Sequence, residues 1–264
     1  MGTEASISAK TMRSNVLRLA AKVGAEGKGA HIAPSLSIIE ILAVLFKTVM
    51  RSCDVFVLSK GHGGLAYYSA LREAGIITDA QLDSFETDGG DFPGQPTKNS
   101  QNGIIFSSGS LGMGLSYACG LALAAKRRRD GKTVYVLLGD GELNEGSNWE
   151  AIMFAKQQKL GNLVAIIDNN GMQSDGKSEE ILDVDLRSAF NAFSWKTQFC
   201  DGHDIDDLTS ALKPLDSDTP TAIFAKTIKG KGVSFMENNN VWHHNRLNDE
   251  QYQAAVKEGD TIGA

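Results

Sequence analysis

The stretch TVYVLLGDGELNEGSNWEAIMFAKQQKLGNLVAIIDNN, residues 133–170, decides the fold class of this chain. Its two apolar runs, TVYVLL at 133–138 and LVAIID at 163–168, are short and rich in β-branched residues, which is typical of buried strands. The segment between them has helical character, and its start is marked by an S-x-x-E capping box, Ser147 and Glu150. A strand, a helix and a second strand in this order predict a β-α-β unit with a parallel pair of strands.

The rest of the chain extends this pattern. We predict a third strand at 194–199, a helix at 204–213 and a fourth strand at 220–227. The first half is predicted to be mainly helical, beginning with residues 11–23. Strands that alternate with helices indicate an α/β protein with a doubly wound, mostly parallel sheet and helices on both faces. Because neither an internal repeat nor a linker is evident, we expect residues 1–264 to form a single domain.

The composition excludes several classes of protein. The chain has 264 residues, of which 42% are hydrophobic and only 5 are prolines, so it can bury a core and is not disordered. Lys and Arg total 26 against 32 Asp and Glu, a net charge of −6. A nucleic-acid partner is therefore not expected, since binding one needs a basic face. The 3 cysteines are too few for a disulfide framework, which favours a reducing cytoplasm.

One segment resembles a membrane span. Residues 104–125 carry no charged side chain and are followed by three arginines. Serines and glycines crowd positions 107–114, however, and indicate a tight loop that leads into a core helix, predicted at 111–128 and buried on all sides. Charged residues also interrupt the first twenty positions, so no signal peptide is predicted. We expect a cytoplasmic protein that does not enter a membrane.

Polar residues follow both strands of the β-α-β unit, at the edge where open parallel sheets bind ligands. Gly139, Asp140 and Gly141 follow the first strand, and Asn169 and Asn170 lie at the end of the second. The glycines allow backbone N–H groups to approach a phosphate, while Asp140 and Asn170 offer oxygen ligands that suit Mg²⁺. The pattern is consistent with a Mg²⁺-diphosphate site, although G-D-G alone is also typical of an ordinary turn after a strand.

The spacing of these residues resembles a known family. G-D-G, then 27 residues, then N-N, on a strand, a helix and a strand, is similar to the fingerprint of thiamine-diphosphate enzymes. The resemblance covers about residues 11–258 and implies the thiamine-diphosphate-binding fold, with thiamine diphosphate and Mg²⁺ as cofactors. Four further segments, in family order, look like the diphosphate-binding half of transketolases: DVFVLSKGHGGLAYYSAL at 54–71, SSGSLGMGLSYACGLALA at 107–124, GDGELNEGSNWEA at 139–151 and TIKGKGVSFMENNNVWHH at 227–244.

The resemblance implies roles for individual residues. Mg²⁺ would be bound by the side chains of Asp140 and Asn170 and by the backbone carbonyl of Met172. Glu145 matches an acidic residue at the family's subunit interface, beside the cofactor. Besides Asp140 and Asn170, the positions implied around thiamine diphosphate are His62, Gly109, Leu111, Gly141, Glu145, Lys229 and His243.

Four residues are implied at the reacting end of the sugar. His31, His62 and His243 are expected to make hydrogen bonds and exchange protons, because histidine titrates near neutral pH. Gln95 stands in P-G-Q-P where the family has P-G-H-P, and glutamine keeps a donor and an acceptor without exchanging protons near neutral pH. This departure implies either an unusual ketose donor or a mainly positional role for the family's histidine. His203, in D-G-H-D, is predicted to be a turn residue.

The implied reaction transfers a two-carbon ketol unit from a ketose to an aldose through the cofactor. In the family, a glutamate from a pyrimidine-binding domain activates the cofactor, so we expect a separate chain to carry the pyrimidine-binding and C-terminal domains in an α2β2 heterotetramer. Two alternatives stay open. One is the α subunit of a 2-oxoacid dehydrogenase or a related enzyme that loads a carrier protein, which would share G-D-G and N-N but not L-S-K-G-H and W-H. The other is a non-catalytic cofactor-binding partner.

Overall fold

The structure is a computed structural model that describes residues 2–213 and 218–261. Within these ranges the centre of the chain is one parallel sheet of five strands, in the order β1-β2-β3-β5-β4. Its strands are β1 (Val55–Leu58), β2 (Val134–Gly139), β3 (Leu163–Asn169), β4 (Lys196–Asp201) and β5 (Thr221–Lys226).

Helices and short helical turns connect the strands. A π-helical turn at Leu45–Val49 continues α3, and 3₁₀ turns at Gly61–Gly63 and Gly141–Asn144 follow β1 and β2. The α-helices of the described residues are α1 (Gly2–Ala25), α2 (Ala33–Leu36), α3 (Ile39–Val44), α4 (Gly64–Glu73), α5 (Asp79–Leu82), α6 (Met113–Arg128), α7 (Gly146–Gln157), α8 (Ser178–Ile181), α9 (Leu186–Ala192), α10 (Ile205–Ala211) and α11 (Asp249–Thr261).

The sheet is buried on both faces. Successive side chains of a strand point to opposite faces. On β3, Val164 and Ile166 join a core with residues of α1, α3, α4 and α10, whereas Ala165 and Ile167 join a second core beneath α6, α7 and α9. Burial on both sides explains why the strands read as continuous apolar runs. The predicted α/β fold, a doubly wound parallel sheet with helices on both faces, is confirmed.

The strand predictions were incomplete. β1 was missed, because it has only 4 residues and lies in a region of helical periodicity. The strand predicted at 194–199 begins two residues later, at Lys196, since Ser194 adopts a positive φ of 59° in the turn after α9. The predicted capping box is wrong: α7 begins at Gly146, and Ser147 donates a hydrogen bond from Oγ to the Gly112 carbonyl oxygen at 2.9 Å.

Helix α6 corresponds to the uncharged run of the sequence. A loop leads into it, as predicted, and among the residues that the structure describes no helix is long and apolar enough to span a bilayer. The prediction that this helix is buried on all sides is wrong. Its face with Leu115, Ala118 and Ala122 is buried, but the side chain of Met113 is 51% exposed. The neighbouring α7 exposes Phe154, so each of the two helices leaves an apolar side chain open to solvent.

Candidate functional site

The carboxyl ends of β1, β2 and β3 open into a polar cleft. A cavity of about 120 Å³ lies there, and a wider one of about 570 Å³ adjoins it along the loop after β3. The smaller cavity collects predicted site residues from segments that are far apart in the sequence: His62, Leu111, Asp140, Gly141, Asn170, Met172, Lys229 and His243.

Asp140 and Asn170 lie side by side at the ends of adjacent strands. The Asp140 carboxylate accepts hydrogen bonds from the backbone N–H groups of Gly141, at 2.7 Å, and Gly171. The Asn170 amide oxygen accepts one from the Met172 N–H at 2.9 Å, while its nitrogen donates to Asp168 at 3.0 Å. A carboxylate, an amide oxygen and the backbone of residue 172 are thus brought to one place.

The Asp140 carboxylate is poorly solvated. It is 6% exposed, and burial, with a smaller contribution from the Asp168 charge, raises the pKa of Asp140 to about 6. A cation bound here would offset this cost. Within the described part of the chain, no cluster of three or more His, Cys, Asp or Glu side chains is arranged to hold a metal, so an ion at Asp140 needs amide, backbone or ligand oxygens as well.

A buried ion pair between Lys60 and Asp168 supports the floor of the cleft. Both side chains are essentially inaccessible to solvent, at 1% and 0%. The Asp168 carboxylate also accepts hydrogen bonds from the hydroxyls of Ser37 and Thr227 and from the Asn170 amide. Burial acts to raise the pKa of Asp168, but the Lys60 charge and these donors outweigh it and lower the pKa. An aspartate that closes an otherwise apolar strand is the signal from which this pair could have been suspected.

Glu142 is a second structural carboxylate that was not predicted. It is 2% exposed, and burial raises its pKa. Its two oxygens accept hydrogen bonds from the N–H groups of Gly112 at 2.9 Å and Gly139 at 3.1 Å, and from the Ser59 hydroxyl. Glu142 therefore joins the ends of β1 and β2 to the loop before α6.

Histidine rings cluster at the mouth of the cleft. The ring centroid of His31 lies 6.1 Å from that of His62 and 5.5 Å from that of His243, and the latter two are 5.3 Å apart. The predicted catalytic histidines are thus brought together. The His244 ring, which was not predicted to belong to the site, has its centroid 4.6 Å from that of His31. Its only signal in the sequence is that it directly follows His243 in W-H-H.

The three predicted histidines are held neutral. Burial, reinforced by the charge of nearby cationic groups, lowers the pKa of His31 to about 4 and that of His243 to about 3, and lowers the pKa of His62 well below its usual value. Among the residues described, His243 Nδ1 is a buried atom that has no hydrogen-bond partner. Neutral imidazoles can donate at one ring nitrogen and accept at the other.

Lys229 supplies a buried cation to the same cavity. Its Nζ donates hydrogen bonds to the carbonyl oxygen of Gln173 at 2.7 Å and to the side-chain oxygen of Asn240 at 3.2 Å. The lysine is 2% exposed, and burial, together with the Lys60 charge, lowers its pKa to about 8. The Lys229 ammonium is therefore a charged hydrogen-bond donor that is largely shielded from water.

Three predicted residues lie at the periphery of the smaller cavity. Gln95 lies between the turn that carries His62 and the loop that carries Leu111. A Cβ at Gly61 would lie 2.9 Å from Gln95 Oε1, and a Cβ at Gly109 would lie 3.1 Å from the same atom. Gly109 itself has a φ of +142°. Glu145 is exposed at the start of α7, next to Gly112, which directly precedes α6.

The chain matches one family of domains and several whole proteins. Residues 9–259 match the family described as "Transketolase, thiamine diphosphate binding domain". The chain is 37% identical to one of the subunits of apulose-4-phosphate transketolase from Actinobacillus succinogenes, over 95% of this chain and 94% of that protein. It is 39% identical to the 6-deoxy-6-sulfo-D-fructose transketolase subunit SqwG of a Clostridium species, over 96% of each.

Longer proteins match over part of their length. Human transketolase is 38% identical over 89% of this chain, which corresponds to 39% of the human protein. The crystal structure of transketolase from Campylobacter jejuni superposes with a TM-score of 0.85 at 25% identity, covering 98% of this chain and 42% of that one. The chain thus spans less than half of these longer proteins but nearly all of the two shorter relatives.

Proposed function

The chain belongs to the transketolase family, as its thiamine diphosphate-binding domain, and from this premise we propose that it is one subunit of a two-chain transketolase. The proposed enzyme moves a two-carbon ketol unit from a ketose, of an unusual or modified kind, to an aldose. One observation carries the proposal: Asp140, Asn170, Lys229 and the neutral histidines His62 and His243 line a single cavity at the carboxyl end of the sheet. The relatives that match along their whole length are named as transketolase subunits.

The donor set fits Mg²⁺. Asp140 offers a carboxylate, Asn170 an amide oxygen and Met172 a backbone carbonyl, which are hard oxygen ligands and leave further coordination positions for phosphate oxygens. The raised pKa of Asp140 is consistent with a carboxylate that needs a cation to stabilise its charged form. We propose these three residues as the protein ligands of the ion.

The cavity also fits a diphosphate. Lys229 places a buried ammonium there, and a Cβ at Gly141 would lie 2.7 Å from the Gln173 side chain, so the Asp140–Gly141 turn approaches its surroundings too closely for a larger residue. Gly109 and Leu111 would lie against the thiamine. Thiamine diphosphate, when bound, supplies the electron sink for breaking the bond next to the ketose carbonyl.

The histidines supply hydrogen bonds and proton transfer at the reacting end of the sugar. His31, His62 and His243 are neutral at pH 7, so each can hold a proton on one ring nitrogen and accept another on the second. The buried, unsatisfied Nδ1 of His243 is one such atom in the described residues. Gln95, beside Gly109, would contact substrate hydroxyls without exchanging protons.

A partner chain is part of the proposal. We propose that residues 1–264 form one diphosphate-binding domain and that a separate subunit contributes the pyrimidine-binding and C-terminal domains and the activating glutamate, in an α2β2 assembly. The exposed apolar side chains of α6 and α7 support a docking face there: Met113, Met153 and Phe154 are 51%, 49% and 42% exposed on helices that pack together. Glu145 is the exposed residue directly before α7. We also propose a cytoplasmic location, in agreement with three free cysteines.

Calorimetry tests the cofactor site. Thiamine diphosphate with Mg²⁺ is titrated into the chain together with its partner, and Asp140→Ala should abolish Mg²⁺-dependent binding because the ion loses its only charged protein ligand. The matched control is Asp175→Ala, which removes an exposed carboxylate from the loop after the neighbouring strand β3. Circular dichroism should show that both variants remain folded. Unchanged affinity in Asp140→Ala would contradict the metal assignment.

Activity tests the transferase assignment. The co-expressed pair, assayed against a panel of ketoses and aldoses, should transfer the ketol unit, while the chain alone should be nearly inactive. Full activity of the chain alone would contradict the two-chain proposal. The transketolase names of the relatives favour this assignment over a 2-oxoacid dehydrogenase α subunit. Release of CO₂ from pyruvate by the pair would reverse that preference, and cofactor binding without any turnover would favour a non-catalytic partner.

A further inference from the structure

His203 belongs to a buried network that the proposed function does not use. The D-G-H-D motif predicted only a turn, yet the His203 ring connects two distant parts of the chain. Its Nδ1 lies 2.9 Å from a Glu40 carboxylate oxygen, and its Nε2 accepts a hydrogen bond from the Ile228 N–H at 2.8 Å. Because Nε2 accepts, Nδ1 carries the ring proton and donates it to Glu40. The His203 ring thus connects the Glu40 carboxylate of α3 to Ile228 in the loop after β5.

Arg13 makes a second connection to the same loop. Its Nη2 donates to the other Glu40 oxygen at 2.6 Å, and its Nε donates to the carbonyl oxygen of Lys231 at 3.3 Å. Gly232 has a φ of +90°, and a Cβ there would lie 2.6 Å from Arg13 Nε, so the loop packs directly on the guanidinium group. Glu40 is 8% exposed and uses one oxygen for each connection.

The two attachment points flank the buried lysine of the cavity. Ile228 precedes Lys229 and Lys231 follows it by two residues, so the backbone is held on both sides. The Lys229 carbonyl oxygen accepts a further hydrogen bond from the Asn238 N–H at 2.9 Å. Such support matters because a lysine side chain is a flexible stem that carries a point charge.

We propose that Arg13, Glu40 and His203 are positioning residues that hold loop 228–232 so that the Lys229 ammonium meets the diphosphate group. The inference rests on the proposed function for the identity of that group. The network adds almost no net charge near the cavity, because the Arg13 and Glu40 charges cancel and the ring makes its hydrogen bonds in the neutral form. Its role is therefore geometric, and it acts only through Lys229.

Amide hydrogen exchange of the full chain tests the attachment directly. His203→Ala should raise exchange in residues 228–232 by about tenfold, which corresponds to the loss of one hydrogen bond. His203→Gln should keep the protection, since its side-chain oxygen can replace Nε2 as the acceptor, whereas the shorter His203→Asn should not. Arg18→Ala, which removes a partly exposed arginine of α1 that pairs with Asp83, is the control for Arg13→Ala. Unchanged exchange in both His203→Ala and Arg13→Ala would overturn the proposal.

A double-mutant cycle tests whether the network acts through Lys229. The probe is magnesium diphosphate, titrated into the full chain, and His203→Ala should weaken its binding about tenfold. The double variant His203→Ala/Lys229→Met should bind no more weakly than Lys229→Met alone, and additive losses would overturn the proposal. If the wild-type chain binds no diphosphate, either alone or with its partner, both the proposed function and the role of loop 228–232 in diphosphate binding are contradicted. The exchange experiment would still decide separately whether His203 and Arg13 hold loop 228–232 in place.

Discussion

Replacing Lys60 with methionine should destabilise the chain more than any exposed substitution. Lys60 and Asp168 form an ion pair at the floor of the cleft, with 1% and 0% of their side chains exposed. Methionine preserves most of the length and the apolar stem of lysine, so the packing changes little. The variant therefore leaves a buried carboxylate without its cation, and it also removes the hydrogen bond from Lys60 Nζ to the Pro34 carbonyl oxygen at 3.1 Å.

The magnitude follows from the surroundings of Asp168. Removing one partner of a buried ion pair costs about 3–5 kcal/mol. Three donors remain, the Ser37 and Thr227 hydroxyls and the Asn170 amide, so we expect the lower end, about 3 kcal/mol in the free energy of unfolding at pH 7. Without Lys60, burial raises the pKa of Asp168. The folded variant then binds a proton more readily than the unfolded chain, and part of the loss is regained as the pH falls to 5.

Urea denaturation followed by circular dichroism measures this loss at pH 7 and pH 5. Lys10→Met, which removes an exposed lysine, is the matched control and should change the free energy of unfolding by less than about 0.5 kcal/mol. The double variant Lys60→Met/Asp168→Asn should recover much of the stability, because it removes the unpaired charge. A loss below about 1 kcal/mol at pH 7 would contradict the assigned role of the Lys60–Asp168 pair, and so would an equal loss at both pH values.

Three further outcomes are expected. Lowering the pH from 6.5 to 5 should destabilise the fold by about 1 kcal/mol each for His31 and His243, a value that already includes a halving for their partial exposure. The reason is that the unfolded chain takes up protons on these two histidines, whereas the folded chain, in which their pKa values are lowered, does not. Urea titrations should show a flatter pH profile in His31→Gln, and an unchanged profile would contradict this prediction. Gly230→Ala should lower the melting temperature more than Gly27→Ala. Both glycines have a positive φ, but only at Gly230 would a Cβ collide with a backbone carbonyl oxygen. Equal shifts in melting temperature would show that this clash does not destabilise the variant. Gln95→His should change the relative kcat/KM values for a ketose panel while leaving cofactor affinity unchanged, and identical donor profiles would show that Gln95 does not select the substrate.

The convergence of Asp140 and Asn170 was predictable because it depends on strand order alone. Both residues follow neighbouring parallel strands, and the register pairs Gly139 with Asp168, so the next residues of each strand meet at the same edge. The carboxyl edge of a parallel sheet is also where its ligands bind. The clustering of the histidines could be predicted only from the family resemblance, because their spacing in the sequence does not indicate that three separate loops line one cleft.

The supporting contacts could not be predicted because each joins residues far apart in the chain. Lys60 reaches Asp168 across 108 positions, Ser59 reaches Glu142 across 83, and His203 reaches Glu40 across 163. Neither hydrophobic periodicity nor a local motif carries information at that range. The same limit explains the error at α6, where an apolar sequence predicts full burial although one face of the helix is exposed.

The α/β class, the doubly wound sheet and the pair of polar strand ends could be predicted from the amino-acid sequence, since the apolar period and the succession of strands and helices are local properties of the chain. The tertiary structure alone decided which charges are buried together, which histidines are neutral and which helical faces stay exposed. These properties depend on solvation, and a side chain's access to water is set only when distant segments pack around it.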